Sequence, residues 1–173
     1  MNILKEISDA SLGLSDFEIL GKQYELKKTA RAILRNNDGL IGVQHLVNDS
    51  VHKLPGGGVE VGETIEEALH RELREEVGCT ARIDREIGIT IEYREKHKLI
   101  QIGYCYEATL IEFVGEPMLE EDERASGLTM LWTTPEDAVA RMKADVPNTY
   151  QGAFITAREL AFLSAYLALD TKS

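Results

Sequence analysis

Hydrophobic and polar positions along the chain change period several times, and each change marks an element. Residues 30–34 and 40–46 are largely apolar, β-prone runs separated by Asn36-Asn37-Asp38-Gly39, a composition that predicts a hairpin. A short strand over 51–54 leads into the glycine-rich loop Pro55-Gly56-Gly57-Gly58. Strand-like stretches follow at 82–93 and 99–113, joined by a charged link over 94–98 that reads as a hairpin loop. In the second stretch Ile100, Ile102, Tyr104 and Tyr106 alternate with Gln101, Gly103 and Cys105, the period of a half-buried strand. Gly115-Glu116-Pro117 stops it, and residues 128–133, with the single Trp132, form a last strand. Pro135 opens a helix to about 143 with Thr134 as its cap. Residues 149–169 give a long helix with a broad apolar face that includes Tyr150, Phe154, Ala157, Leu160 and Leu163. Arg158 and Glu159 interrupt it too much for a membrane span; its face reads as core, with a dimer contact left open. Residues 1–21 mix apolar and acidic positions without a clean period, and no element is assigned to them.

The helix after the glycine loop carries the chemistry. Thr64 with Glu67 three positions on forms a capping box, so the helix starts near Ile65, and Gly78 fits the position just past its end. At about 100° per residue, with Glu72 at zero, Ile65, Leu69, Leu73 and Val77 fall at about 20°, 60°, 100° and 140°. Glu76 falls inside this apolar stripe at about 40°, Glu72 at its edge, and Glu75 just beyond at about 300°. A solvated Glu-rich helix face is the bland account of such a run. Three carboxylates in one arc nevertheless repel one another, and their desolvation is costly unless a cation sits among them. A hard divalent ion with oxygen ligands, Mg²⁺ or Mn²⁺, answers that need. On this reasoning, removing one of these charges by Glu75→Gln or Glu76→Gln abolishes most activity and raises the stability of metal-free protein.

The stretch resembles the Nudix box: Gly, five residues, Glu, seven residues, then Arg-Glu-aliphatic-any-Glu-Glu-any-Gly-aliphatic. Gly57, Glu63, Arg71, Glu72, Leu73, Glu75, Glu76 and Gly78 are in register, and only Cys79 departs, where a small buried hydrophobe still serves. At ordinary residue frequencies, seven fixed identities coincide on the order of once in 10⁸ starting positions. The resemblance implies an α/β fold, a Nudix-like α/β/α sandwich with a mixed sheet. It implies a domain over 24–173 including the C-terminal helix, with residues 1–23 as an N-terminal extension. It also implies hydrolysis of a phosphoanhydride bond in a nucleoside diphosphate linked to another moiety, or another diphosphate. Glu72, Glu75 and Glu76 are then the metal ligands, with the Gly56 carbonyl as a further one. One carboxylate, in the box or from the acidic run after the strand at 99–113 (Glu121 or Glu123), takes the proton from water. Glu63 and Arg71, with Gly57 and Gly78, hold the box in shape; helix pairing of Arg71 with Glu67 or Glu75 is the simpler account of that side chain. A non-catalytic Nudix-fold nucleotide sensor is the alternative, which such a chain could become by losing one of the three glutamates. An isopentenyl diphosphate isomerase needs a catalytic Cys in a setting that neither Cys79 nor Cys105 has. The family's ADP-ribose and dinucleoside polyphosphate subclasses carry a Pro or a Tyr beyond the box, where this chain has Arg94, Glu95, Lys96 and His97.

Composition narrows the partners. The chain has 173 residues and 30 acidic against 19 basic side chains, a formal net charge of −11, which argues against general nucleic-acid or membrane-surface binding. The same charge opposes a phosphate-bearing substrate unless divalent cations intervene. Two Cys without a CxxC spacing, and an N-terminus without the pattern of a signal peptide, point to a reducing cytoplasm. The acidic run at 120–123 does not have EF-hand spacing, and four histidines (His45, His52, His70, His97) form no ligand pattern; His45 and His52 flank a loop where substrate contact or plain solvation is open.

Overall fold

A computed structural model describes residues 1–14 and 23–170; the rest of the N-terminal arm, which the sequence left unassigned, and the last three residues lie outside the described residues. The strands are β1 (Ile3–Ser8), β2 (Glu25–Arg35), β3 (Ile41–Leu46), β4 (Val51–Lys53), β5 (Cys79–Arg94), β6 (Leu99–Phe113) and β7 (Leu128–Thr133). The helices are α1 (Ile65–Glu72), α2 (Glu121–Ala125), α3 (Pro135–Ala144) and α4 (Tyr150–Asp170). Among the described residues the seven strands form one mixed sheet in the order β1-β5-β6-β2-β3-β4, with β7 also paired to β3. β1 runs parallel to β5 and β2 parallel to β6, while β5–β6, β3–β4 and β3–β7 are antiparallel. The first residues thus lie on a sheet edge.

Alternation along β2 sets the layers. Ala30, Ala32 and Leu34 face α1, where they pack with Leu69, Leu73, Val77 and Ala108. Ile33 faces the other side and packs with Met142 of α3 and with Phe162, Leu163 and Tyr166 of α4. Helices on both faces make this an α/β/α sandwich. The 30–46 hairpin exists only at its closed end. Arg35–Ile41 is the single registered pair of β2 with β3, and from there the strands diverge. The glycine loop fills the opening and bonds to β2: Ala30 and Ala32 donate N–H to the Gly57 and Pro55 carbonyls at 2.9 and 3.0 Å, and Val59 donates to Lys28 at 3.0 Å. The sheet is therefore split where the box begins.

Two further readings change. In β6, Gln101, Cys105 and Glu107 are buried, whereas Ile100, Ile102 and Tyr104 are half-buried. Both faces of this strand are covered, so alternation does not separate inside from outside. The polar parity is met by neighbouring strands: Gln101 donates to Glu92 of β5 at 3.4 Å, and Glu107 pairs with Arg35 of β2 and Arg85 of β5. Arg158 donates to Glu92 at 2.7 Å and to Glu159 at 2.7 and 2.9 Å, and Arg94 to Glu92 at 2.7 Å. All four side chains are at least nine-tenths buried. α4 has the length and hydropathy of a membrane span over Tyr150–Leu169, but Phe154, Phe162 and Leu163 are fully buried within this chain. The broad apolar face that left a dimer contact open covers the protein's own sheet.

Candidate active site

Glycines and a change of helical pitch build the site. Thr64 and Glu67 close the capping box reciprocally, at 3.2 Å to the Glu67 N–H and 2.8 Å to the Thr64 N–H. The helix expected over 65–77 is α-helical only to Glu72; Leu73–Val77 is a π-turn, closed by Gly78 at φ +70°. A π-turn advances each residue by less rotation than an α-turn, so it turns Glu76 back toward Glu72 and leaves Glu75 behind. Gly57 lies against the Glu72 carboxylate, where a Cβ would stand 2.4 Å from its carbon. At Gly56, φ is +125° and a Cβ would stand 2.1 Å from the Ala30 carbonyl oxygen. No other residue fits this turn without moving β2.

Glu72, Glu76 and Glu123 come together, with one carboxylate oxygen from each within 4.8 Å of the others. Glu76 is 2% exposed. It accepts from Lys53 Nζ at 2.6 Å, the Gly56 N–H at 2.5 Å and Gln44 Nε2 at 3.2 Å. Burial raises the Glu76 carboxyl, but Lys53 and Arg31 more than offset it and hold the group below the usual range. Burial and the neighbouring Glu76 push Glu72 up, against the pull of Arg71. Burial and a hydrogen bond shared with Glu76 push Glu123 up to about 7. Part of the crowding that the sequence assigns to an outside cation is thus relieved by the chain's own Lys53.

Other site residues separate from this trio. Glu75 pairs with Arg71 at 2.9 Å and Glu121 is exposed, so neither is among the three converging carboxylates. The Gly56 carbonyl lies 3.5 Å from Lys53 Nζ. Arg71 ties the box together: Nε donates to Glu63 at 2.8 Å, Nη1 to Glu72 and Glu75 at 2.9 Å each, and Nη2 to the Gly58 carbonyl at 2.8 Å. It does not pair with Glu67, which is occupied in the cap. His52 is anchored to Asp145 by Nδ1 and N–H, both at 2.7 Å, and stacks on His45 at 4.3 Å. That pair clamps β4 to the end of α3.

A cavity of about 390 Å³ opens beside Glu123 and Lys53 and is lined also by Arg31. The NUDIX domain family model matches residues 25–152. The chain belongs to the Nudix family. An RNA pyrophosphohydrolase of Acinetobacter baylyi is 38% identical over 72 residues, 40% of this chain and 43% of that enzyme. An 8-oxo-dGTP diphosphatase of Haemophilus influenzae is 33% identical over 100 residues, 56% of this chain and 71% of that enzyme. The Nudix chain therefore spans under half of the first relative's length. A NUDIX hydrolase from Nitrosomonas europaea has the same fold, with a TM-score of 0.63 at 18% identity over 83% of this chain and 90% of that one. The E. coli ORF135 protein is likewise similar, with a TM-score of 0.60 at 21% identity over 85% and 92%.

Lys53, Gln44 and Arg31 did not stand out from the box pattern. Their signal is a polar side chain inside an apolar strand run, which a buried strand admits only where it has a partner. Two substitutions test the framework of this Nudix site. In Arg71→Lys a single ammonium replaces a fork that serves four residues, so turnover should fall about tenfold and the thermal midpoint by a few degrees, read by initial rates and a melt. Glu67→Gln keeps an acceptor for the Thr64 N–H and lies outside the carboxylate arc; rates and melting point should both match the parent.

Proposed function

We propose that this Nudix chain is a divalent-metal-dependent hydrolase that cleaves a phosphoanhydride bond in a nucleoside diphosphate derivative or another diphosphate. The observation that carries this reading is the convergence of Glu72, Glu76 and Glu123 beside a cavity. The donor set consists of hard carboxylate oxygens at a spacing compatible with one shared cation, which fits Mg²⁺ or Mn²⁺ and not a soft metal. Names of the relatives, both acting on phosphoanhydrides by their descriptions, support hydrolysis over a binding-only role.

Glu72, Glu76 and Glu123 are the residues that would hold the ion. Bound there, a divalent cation acidifies water and neutralises charge on the diphosphate. Glu76 is fixed by Lys53, Gln44 and the Gly56 N–H, so its carboxylate enters the reaction already oriented. Arg71 sets Glu72 in the same way. Glu123 comes from α2 and not from the box helix, and it lines the cavity, which makes it the carboxylate placed to take the proton from attacking water. Glu75 acts through Arg71 as part of the frame.

The test is a panel of nucleoside triphosphates, oxidised nucleotides, nucleotide sugars, dinucleoside polyphosphates and coenzyme A, assayed with Mg²⁺ or Mn²⁺ through phosphatase-coupled phosphate release. Turnover of at least one class, abolished by EDTA and restored by added metal, is the expected result. An inert panel, together with no calorimetric binding of Mn²⁺, would overturn the reading.

A further inference from the structure

Arg31 is a buried cation whose hydrogen bonds are not met. It projects from β2 and is 7% exposed. Glu159 Oε1 lies 3.6 Å from its Nε, outside hydrogen-bond reach, and that oxygen already accepts twice from Arg158. Among the described residues, Nε and Nη1 have no acceptor. Burial and the adjacent Arg158 both work against its charge, which Glu159, Glu76 and Glu72 only partly compensate. Leaving donors of a buried guanidinium unpaired is unfavourable in a finished core. At a binding site it is an unfilled valence.

Arg31 also lines the cavity beside the carboxylate trio. Its lining includes Arg31, Lys53, Asp49 and Glu123, with Thr149 and Gln151 at the start of α4. Lys53 is engaged by Glu76. Arg31 is therefore the cationic donor in this lining that still lacks a full partner. α4 is 21 residues long and presents its N-terminal end to the same space, which favours negative charge there. Glu159, which also accepts the Leu54 N–H at 3.4 Å, positions Arg31 relative to the glycine loop without satisfying it.

We infer that Arg31 binds an anionic group of the substrate beyond the diphosphate held at the carboxylate cluster, so that the enzyme selects nucleotides ending in a free phosphate, the nucleoside triphosphate class. This rests on the hydrolase reading above. A fully esterified diphosphate, such as a nucleotide sugar, has its charge on the two phosphoryl groups at the cluster and brings only hydroxyls to the cavity. A terminal phosphoryl group, bonded to the chain only through its anhydride oxygen, brings three acceptor oxygens and about two negative charges, which match a guanidinium fork.

Calorimetry with Mg²⁺ and two base-free probes, inorganic tripolyphosphate and pyrophosphate, tests this directly. Wild-type protein should bind tripolyphosphate at least about tenfold more tightly, and Arg31→Met should reduce the difference to under about twofold, with Arg31→Lys between them. In kinetics, Arg31→Met should raise KM for triphosphates more than it lowers kcat, and by a larger factor than it raises KM for nucleotide sugars. Equal wild-type affinity for the two probes overturns the inference without any variant. So does a folded Arg31→Met that keeps the preference, and if that variant does not fold, Arg31→Lys and the wild-type comparison decide. An Arg31-dependent preference in a protein that hydrolyses nothing would sink the hydrolase reading and leave the binding inference standing. Hydrolysis with a KM indifferent to Arg31 would do the reverse.

Discussion

Glu76→Gln is expected to lower turnover at least about 100-fold and to destabilise the metal-free protein. The loss of turnover follows from its place among three converging carboxylates. The loss of stability follows from Lys53. Counting carboxylates along the helix predicts relief of repulsion when one charge is removed, yet Glu76 is the member of the trio held by a buried ammonium at 2.6 Å. Lys53 is itself 7% exposed, so neutralising Glu76 leaves a buried cation without its counter-ion. Breaking such a pair costs about 3–5 kcal/mol. The glutamine carbonyl still accepts from Lys53 or Gly56, so about 2 kcal/mol is the reasonable net loss, or roughly 4–8 °C in the melting midpoint for a chain of this size. Glu72→Gln is the informative partner. Burial and Glu76 already push that carboxyl toward its neutral form, so Glu72→Gln should lose turnover to a similar degree while melting near or above the parent. Melts in EDTA and coupled rate assays separate the two variants. A rise in the midpoint for Glu76→Gln would show that repulsion outweighs the Lys53 pair.

This contrast marks what the sequence could carry. Local signals were fully legible: the Thr64–Glu67 box, the Gly78 stop, the Thr134 cap and the turn after β6 depend on side chains a few residues apart. The wheel correctly placed Glu76 on the buried face, because the apolar stripe fixes that face. It could not show the π-turn that takes Glu75 toward Arg71, since nothing in the composition of residues 73–77 distinguishes a wider turn from a regular one. Nor could it show Lys53 against Glu76, a pairing 23 residues apart that exists because β2 and β3 diverge and admit the glycine loop. Arg31, Glu92 and Arg158 were visible as charges inside apolar runs. Their meaning depends on β2, β5 and α4 meeting, which is a property of the sheet order and not of any one segment.

The α4 charges give the largest expected change in stability. Arg158→Met should destabilise the protein by about 3–5 kcal/mol, roughly 6–20 °C in the melting midpoint. Arg158 is 1% exposed and is the cation shared by Glu92 and Glu159, both fully buried. Methionine fills much of the same volume, so the loss is electrostatic: Glu159 keeps only the looser Arg31, and Glu92 keeps Arg94. On this account Glu159→Gln placed in the Arg158→Met background should recover part of the loss, because the carboxylate left without a hydrogen-bonded cation is then gone. The damage should also reach the site. Glu159 accepts the Leu54 N–H and sits beside Arg31, so an unanchored Glu159 loosens both the entry to the glycine loop and the cavity wall. α4 beyond residue 152 lies outside the span matched by the family model. Denaturant titration of the single and double variants decides it: a loss below about 1 kcal/mol for Arg158→Met would mean that water enters the cluster and that α4 is held by its apolar residues alone.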